Sequence, residues 1–204
     1  MAGNDVQHAI EAIRACRPVL LPTDTVYGLC ATAYRERAAR RLYRLKGREE
    51  AQPTALVAAE LDMLFECLPE LRGRAGVIAR ALFPGPFTLV LPNPGRRYRW
   101  LTGTRDDAIG VRVPELPEAT RRVLDAVGCV MATSANEPGG PSPASLDDVP
   151  ERFRRACAYE LDGGTLPGTP STVIDFTGDE PLVIREGAIP AADAIARVRD
   201  AAAV

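Results

Sequence analysis

Thr23, Asp24 and Thr25 bring two hydroxyls and a carboxylate into a break between two apolar segments, Val19-Leu20-Leu21 and Val26-Tyr27-Gly28-Leu29. Pro22 opens the break, because proline lacks the N–H that a strand ladder needs. Loops held by rigid strands are common seats of ligand chemistry. The same residues also make an ordinary tight turn, and the sequence alone leaves both readings open.

A second group follows at Arg40-Arg41-Leu42-Tyr43-Arg44-Leu45-Lys46-Gly47-Arg48, with five basic residues within nine positions. On a helix, Arg41 and Arg44 cannot share the apolar face of Leu42 and Leu45, so they belong to a solvated surface. Lys46 and Arg48 differ because Gly47 lies between them. Glycine permits an unusual backbone turn at a helix end. There, two long cations can address one anion: arginine through bidentate contacts, lysine as a mobile point charge.

Three further groups sit on or beside apparent strands. Met131-Ala132-Thr133-Ser134-Ala135-Asn136 ends a strand in small polar residues, which offer donors without filling ligand space. They equally cap a turn. Ser142 lies just beyond, in a Pro/Gly-rich loop suited to a lid. Arg112, in Gly110-Val111-Arg112-Val113-Pro114, faces opposite to its valine neighbours by strand alternation and suits a carboxylate ligand. Ser171-Thr172-Val173-Ile174-Asp175-Phe176 and Leu182-Val183-Ile184-Arg185-Glu186-Gly187 read as a hairpin turning at Thr177-Gly178-Asp179-Glu180, with Arg185 closing its second strand.

Some chemistry is disfavoured. There is one histidine, His8, inside a helical pattern, so a His-based metal site or a Ser/His/Asp triad lacks material, and no metal ligands are assigned. Neither a GxxxxGK[ST] nor a GxGxxG motif occurs, which argues against both common nucleotide-binding classes. The five cysteines, Cys16, Cys30, Cys67, Cys129 and Cys157, are odd in number and never spaced CxxC. They read as reduced thiols in a cytoplasmic protein. The net charge is −2, from 25 basic and 27 acidic residues, so any polyanion site must be a local patch. No apolar run approaches a membrane span, and the N-terminus does not read as a signal peptide.

The elements that must position these groups alternate irregularly. Helices are predicted from Val6 to Cys16 (capped by Asn4 or Asp5), over Arg35 to Leu45, Leu61 to Leu68, Leu71 to Leu82, Thr120 to Val127 and Ala191 to Ala202. Strands are predicted at Val19 to Leu21, Val26 to Leu29, Ala55 to Ala58, Phe87 to Leu91, Ala108 to Val113, Cys129 to Thr133, Ala158 to Leu161, Thr172 to Phe176 and Leu182 to Ile184. Several strands are joined by loops alone. The fold class is therefore α/β with α+β character: one twisted mixed sheet with helices on its faces. No linker divides the chain, so residues 1–204 are read as a single domain. The Glu137 to Pro143 stretch is predicted to be its most flexible segment.

Taken together, PTDTVYGL, KGR, FPGPFTLVL, GVRVP, TSAN with its PSP, STVIDF and VIREG resemble the YrdC/TsaC family of threonylcarbamoyl-AMP synthases. They occur in the family's order from Leu21 to Gly187. The resemblance implies a YrdC-like twisted sheet with a large positive cavity and a motif-bearing core over about residues 6–200. It implies a nucleotidyltransferase: L-threonine and bicarbonate or CO2 form a carbamate, which attacks the α-phosphate of ATP, releasing pyrophosphate. Magnesium assists the phosphates. A tRNA-modifying threonylcarbamoyl transferase complex then uses the product.

By the same resemblance, Lys46 and Arg48 are the catalytic cations and bind the ATP phosphates. Ser134, Asn136, Ser142 and Arg185 are further ATP contacts. Thr25, Arg112 and Ser171 hold threonine, Arg112 through its carboxylate. The chain departs from relatives at Glu49, where proline is frequent, at Ala58 and Ala59, where many carry histidine, and at Ala108, where some carry threonine. Ending at residue 204, it is expected to lack the extra C-terminal domain of longer relatives. Two alternatives stand beside the synthase: a YciO-like paralogue of different or weaker activity, and a non-catalytic module that binds RNA. The TSAN motif with its PSP loop favours the synthase. The near-neutral charge favours at most weak RNA binding.

Overall fold

A computed structural model of the protein describes residues 2–47, 49 and 51–203. The chain starts with helix α1 (Ala2–Arg14), whose first turn already contains Asn4 and Asp5. The predicted cap therefore lies too late, and Cys16 falls beyond the helix at φ 57°. Strands β1 (Val19–Pro22) and β2 (Tyr27–Thr32) form an antiparallel hairpin, followed by helix α2 (Glu36–Lys46). Next come β3 (Ala55–Val57), α3 (Leu61–Cys67), α4 (Gly73–Leu82), β4 (Phe87–Pro92), a short 3-10 helix (Arg99–Leu101) and β5 (Ala108–Arg112). Helix α5 (Glu118–Val127), β6 (Val130–Ser134), α6 (Glu151–Ala156), β7 (Tyr159–Glu160), β8 (Thr172–Asp175), β9 (Leu182–Arg185) and α7 (Ala191–Ala202) complete the order.

The described strands form one sheet in the order β7-β1-β2-β6-β3-β5-β4-β8-β9. Pairs β1/β7, β3/β5 and β4/β8 are parallel and the others antiparallel, so the sheet is mixed, as the irregular alternation predicts. The hairpin predicted at Thr177–Glu180 is the β8/β9 turn, with a register shift at Val173/Ile174. The 3-10 helix and α6 are additions to the sequence reading. Helix α6 (ERFRRA) offers one buried apolar residue, Phe153, too few for a periodic signal.

Strand alternation builds two cores. Leu20, Leu29, Leu56, Leu89, Val111, Met131 and Ile174 point to one face, where residues of α2, α4 and α7 pack on them. Val19, Leu21, Cys30, Val57 and Val130 point to the other, under α1 and α5. These two helices cover only part of that second face. Over β5, β4 and β8 the outward residues are Gly110, Arg112, Thr88, Val90, Val173 and Asp175, and they line a cleft instead of a core. Among the described residues no helix is long and apolar enough to cross a membrane.

Candidate functional site

The cleft has a volume of about 490 Å³, within the range that holds a small-molecule ligand. Its floor is made of the smallest side chains on that face: Gly28 opposite Ser134, Ala55 opposite Ala132, and Gly110 and Ala108 on β5. Small residues at alternating strand positions sacrifice packing and leave room for a ligand. Read singly in sequence, these positions gave no signal. They acquire meaning only when the register brings them side by side.

Thr23 shapes the β1–β2 turn. Its hydroxyl donates to the Val26 carbonyl at 2.7 Å and accepts the N–H groups of Thr25 and Val26 at 3.3 Å each. The turn reading of this segment is thus correct for Thr23. It presents Thr25 and Asp24 to Arg112 from the neighbouring strand set. Arg112 Nη2 donates to Thr25 Oγ1 at 2.6 Å and to Asp24 Oδ1. The pair is nearly enclosed, with side-chain exposures of 12% for Arg112 and 9% for Asp24. Burial pushes the Asp24 carboxyl up, while the adjacent guanidinium pulls it partly back. Burial likewise lowers Arg112, against the support of Asp24. Among the described residues, Asp24 Oδ2 and Arg112 Nε are buried without a hydrogen-bond partner. Such orphaned groups are rare and mark places where another polar group belongs.

Arg185 is the second cation of the cleft. Its guanidinium donates to the Ser171 carbonyl at 2.8 and 3.1 Å and to Ser171 Oγ at 3.2 Å. Ser171 is buried and also bonds Thr88 Oγ1 at 2.8 Å. Partial burial lowers Arg185, and so does the like charge of Arg112. Two arginines that repel each other across one space favour an anion between them. Arg105, also on the cleft wall, is by contrast matched to Asp175 at 2.9 Å and to Thr177 at 2.9 Å. Thr88, Arg105 and Asp175 are not singled out by the sequence, and Asp24, named there only with its threonine neighbours, is the charge partner of Arg112.

Lys46 arrives from the other layer. It is the last residue of α2, and Gly47 ends that helix in the left-handed region at φ 65°, as the Lys-Gly-Arg pattern predicts. The ammonium is buried and donates to the Ser134 carbonyl at 2.7 Å, the Asn136 carbonyl, and Asn136 Oδ1 at 2.9 Å. Ser134 Oγ donates to the same Asn136 Oδ1 at 2.6 Å, and Asn136 Nδ2 donates to the Gly140 carbonyl at 2.6 Å. Lys46 thereby fixes the turn after β6, and it does not itself line the cleft.

Of the sequence-predicted residues, Arg112, Ser134, Ser171 and Arg185 line one cleft. Thr25 adjoins it through Arg112, while Lys46 and Asn136 adjoin it through Ser134. Ser142 does not line it; the next residue, Pro143, accepts the Tyr27 N–H at 3.0 Å and moors that loop to β2. Arg48 lies outside the described residues.

The family profile Sua5_yciO_yrdC, described as telomere recombination, matches residues 11–187. The threonylcarbamoyl-AMP synthase of Pyrococcus abyssi is 37% identical over 179 residues, covering 87% of this chain and 52% of that protein. That of Halorhodospira halophila is 38% identical over 182 residues, covering 89% and 90% respectively. The crystal structure of P. abyssi Sua5 complexed with L-threonine aligns with TM-score 0.84 at 35% identity, over 95% of this chain and 56% of that one. E. coli YciO aligns with TM-score 0.80 at 26% identity, over 92% and 90%. The chain spans about half the length of the first curated relatives it matches, 52% and 56%. With the profile covering most of its length and a mixed sheet of the same form, the chain belongs to the Sua5/YciO/YrdC family.

Proposed function

We propose that this protein is an L-threonylcarbamoyladenylate synthase, acting on L-threonine, bicarbonate or CO2, and ATP as one YrdC-like domain over residues 1–204. The observation that carries the reading is the Arg112–Thr25 contact at the rim of a cleft that also holds Arg185. A family relative has been crystallised with L-threonine, which makes this amino acid the natural occupant. The threonine carboxylate would bridge Arg112, whose Nε lacks a partner among the described residues, and the hydroxyls of Thr25 and Ser171.

In the proposed reaction the threonine nitrogen attacks bicarbonate, a carbamate forms and water leaves. A carbamate oxygen then attacks the α-phosphorus of ATP, the bond to the β-phosphate bridge breaks, and pyrophosphate departs. Both partners are anions, so the enzyme's task is to hold them together and offset their repulsion. Arg185 would meet the phosphates, with Ser134 and Asn136 on the nucleotide side. Lys46 would stabilise charge on the phosphates by trading one of its carbonyl contacts for a phosphate oxygen. Arg48 and Ser142 complete the proposed ATP contacts. Magnesium fits as a companion of the phosphates. When bound it supplies counter-charge to the triphosphate. The product would pass to a threonylcarbamoyl transferase acting on tRNA, in the cytoplasm.

A second reading is a YciO-like paralogue, which the E. coli YciO alignment over 90% of that chain supports. The two differ in one assay. Purified protein is incubated with ATP, magnesium and bicarbonate, with and without threonine, and pyrophosphate is measured. Threonine-dependent release is expected. Release that is absent, or independent of threonine, overturns the synthase reading in favour of the paralogue.

A further inference from the structure

Away from the cleft, two cysteines meet. Cys67 closes α3 and Cys129 stands directly before β6, with their Sγ atoms 3.3 Å apart. Neither lines the cleft or takes part in the proposed reaction. Polar groups surround Cys67. Tyr34 Oη lies 3.3 Å from its sulfur, within reach for its phenolic proton to be donated to a Cys67 thiolate, and accepts the Cys129 N–H at 2.8 Å. Tyr34 can come this close because residue 128 is glycine: a Cβ there would lie 2.4 Å from Tyr34 Oη. The Tyr98 ring stands beside that of Tyr34, with centroids 6.1 Å apart.

The Cys129 thiol and the two phenols together pull the Cys67 pKa down, against partial burial and the charge of Glu66. Cys129 itself is pushed up by its contact with Cys67 and by burial. Cys30 and Cys157 are pushed up to about 12, chiefly by burial. Cys67 is thus a partly exposed thiol with a lowered pKa and a second thiol in contact, while burial holds Cys30 and Cys157 in the thiol form. Tyr34 is 40% exposed, so a small oxidant can reach the cluster.

We infer that Cys67 and Cys129 form a hydroperoxide-reactive pair, in which Cys67 is oxidised first and Cys129 resolves it to a disulfide. The Cys67 thiolate attacks one oxygen of the hydroperoxide. An S–O bond forms, the O–O bond breaks, and the departing alkoxide takes a proton from solvent to leave as alcohol. The Cys129 sulfur then attacks the Cys67 sulfenic acid. The S–S bond forms, the S–O bond breaks, and hydroxide leaves as water with the Cys129 proton. In total, two thiols are oxidised by two electrons and one hydroperoxide is reduced to alcohol and water. The sulfurs need only close from 3.3 Å to about 2.05 Å. The resulting staple would join α3 to the foot of β6.

The test treats the reduced full chain with hydrogen peroxide, then maps it by non-reducing peptide mass spectrometry. A cross-linked peptide containing Cys67 and Cys129, lighter by two hydrogens and reversed by dithiothreitol, is expected. Cys129→Ser should instead accumulate sulfenic acid on Cys67, captured by dimedone. Tyr34→Phe, which keeps the ring, should slow oxidation by about threefold or more. Absence of the link in the wild-type chain, sulfinic acid on Cys67 without a disulfide, or a different cysteine pairing each overturns the inference. The wild-type map decides the matter even if a variant fails to fold.

Discussion

Arg112 is nearly enclosed, with Asp24 as its carboxylate and Thr25 as its hydroxyl partner. Removing one member of such a pair strands the other charge, so Arg112→Ala is expected to cost about 3–5 kcal/mol, read by urea unfolding. Thr25→Ala removes a single hydroxyl beside Arg112 and should spare the fold. Losing one hydrogen bond to a bound carboxylate should raise the KM for threonine by about tenfold. Asp175 provides a test by pH. Burial raises its carboxyl, but hydrogen bonds from Thr177 and Arg105 outweigh this, and the net direction is down. A carboxyl lowered on folding contributes stability above its unfolded pKa, and that contribution is lost as pH falls through the folded value. Acid titration of stability should therefore show a loss below about pH 4 in the wild type. The loss should be smaller in Asp175→Asn.

At the scale of elements, the site depends on the register of β5 against β3 and β4. A Cβ at Gly110 would meet only Ala55 Cα, at 3.8 Å, an ordinary contact. Gly110→Val should consequently fold, fill the cleft floor, and abolish threonine binding in calorimetry. At the end of α2, a Cβ on Gly47 meets nothing within 4 Å among the described residues, but its φ of 65° is unfavourable for other residues. Gly47→Ala is expected to cost about 1–2 kcal/mol by denaturant unfolding. These helices and strands were legible in the sequence because their periodicities are clean, as with Phe87–Pro92 and Glu36–Lys46. The arginines and serines of the cleft were visible as residue types on strand ends. Their partners were not: Asp24 with Arg112 and Arg105 with Asp175 meet across 88 and 70 residues of sequence, a distance local patterns do not span. The role of Lys46 was only half legible. Its charge and helix-end position show in the sequence, but its grip on the Ser134–Asn136 turn depends on how α2 packs.

For the molecule as a whole, a net charge of −2 gives no general attraction to polyanions, and the positive character of the cleft is local. Binding to tRNA in a gel shift is therefore expected to be weak and to disappear at physiological salt. The chain matches the P. abyssi and H. halophila synthases at similar identity while spanning 52% of one and 90% of the other. The stretches matched in the two relatives cover 87% and 89% of this chain, and the proposed chemistry belongs to that matched part. The most direct test is the identity of the product. The protein is incubated with ATP, magnesium, L-threonine and 13C-bicarbonate, and the nucleotides are resolved by mass spectrometry. Threonylcarbamoyl-AMP carrying a single 13C is expected from the wild type, reduced at least about 100-fold in Lys46→Ala. Unmodified ATP, or AMP without the labelled adduct, from folded wild-type protein would contradict the proposed synthase activity.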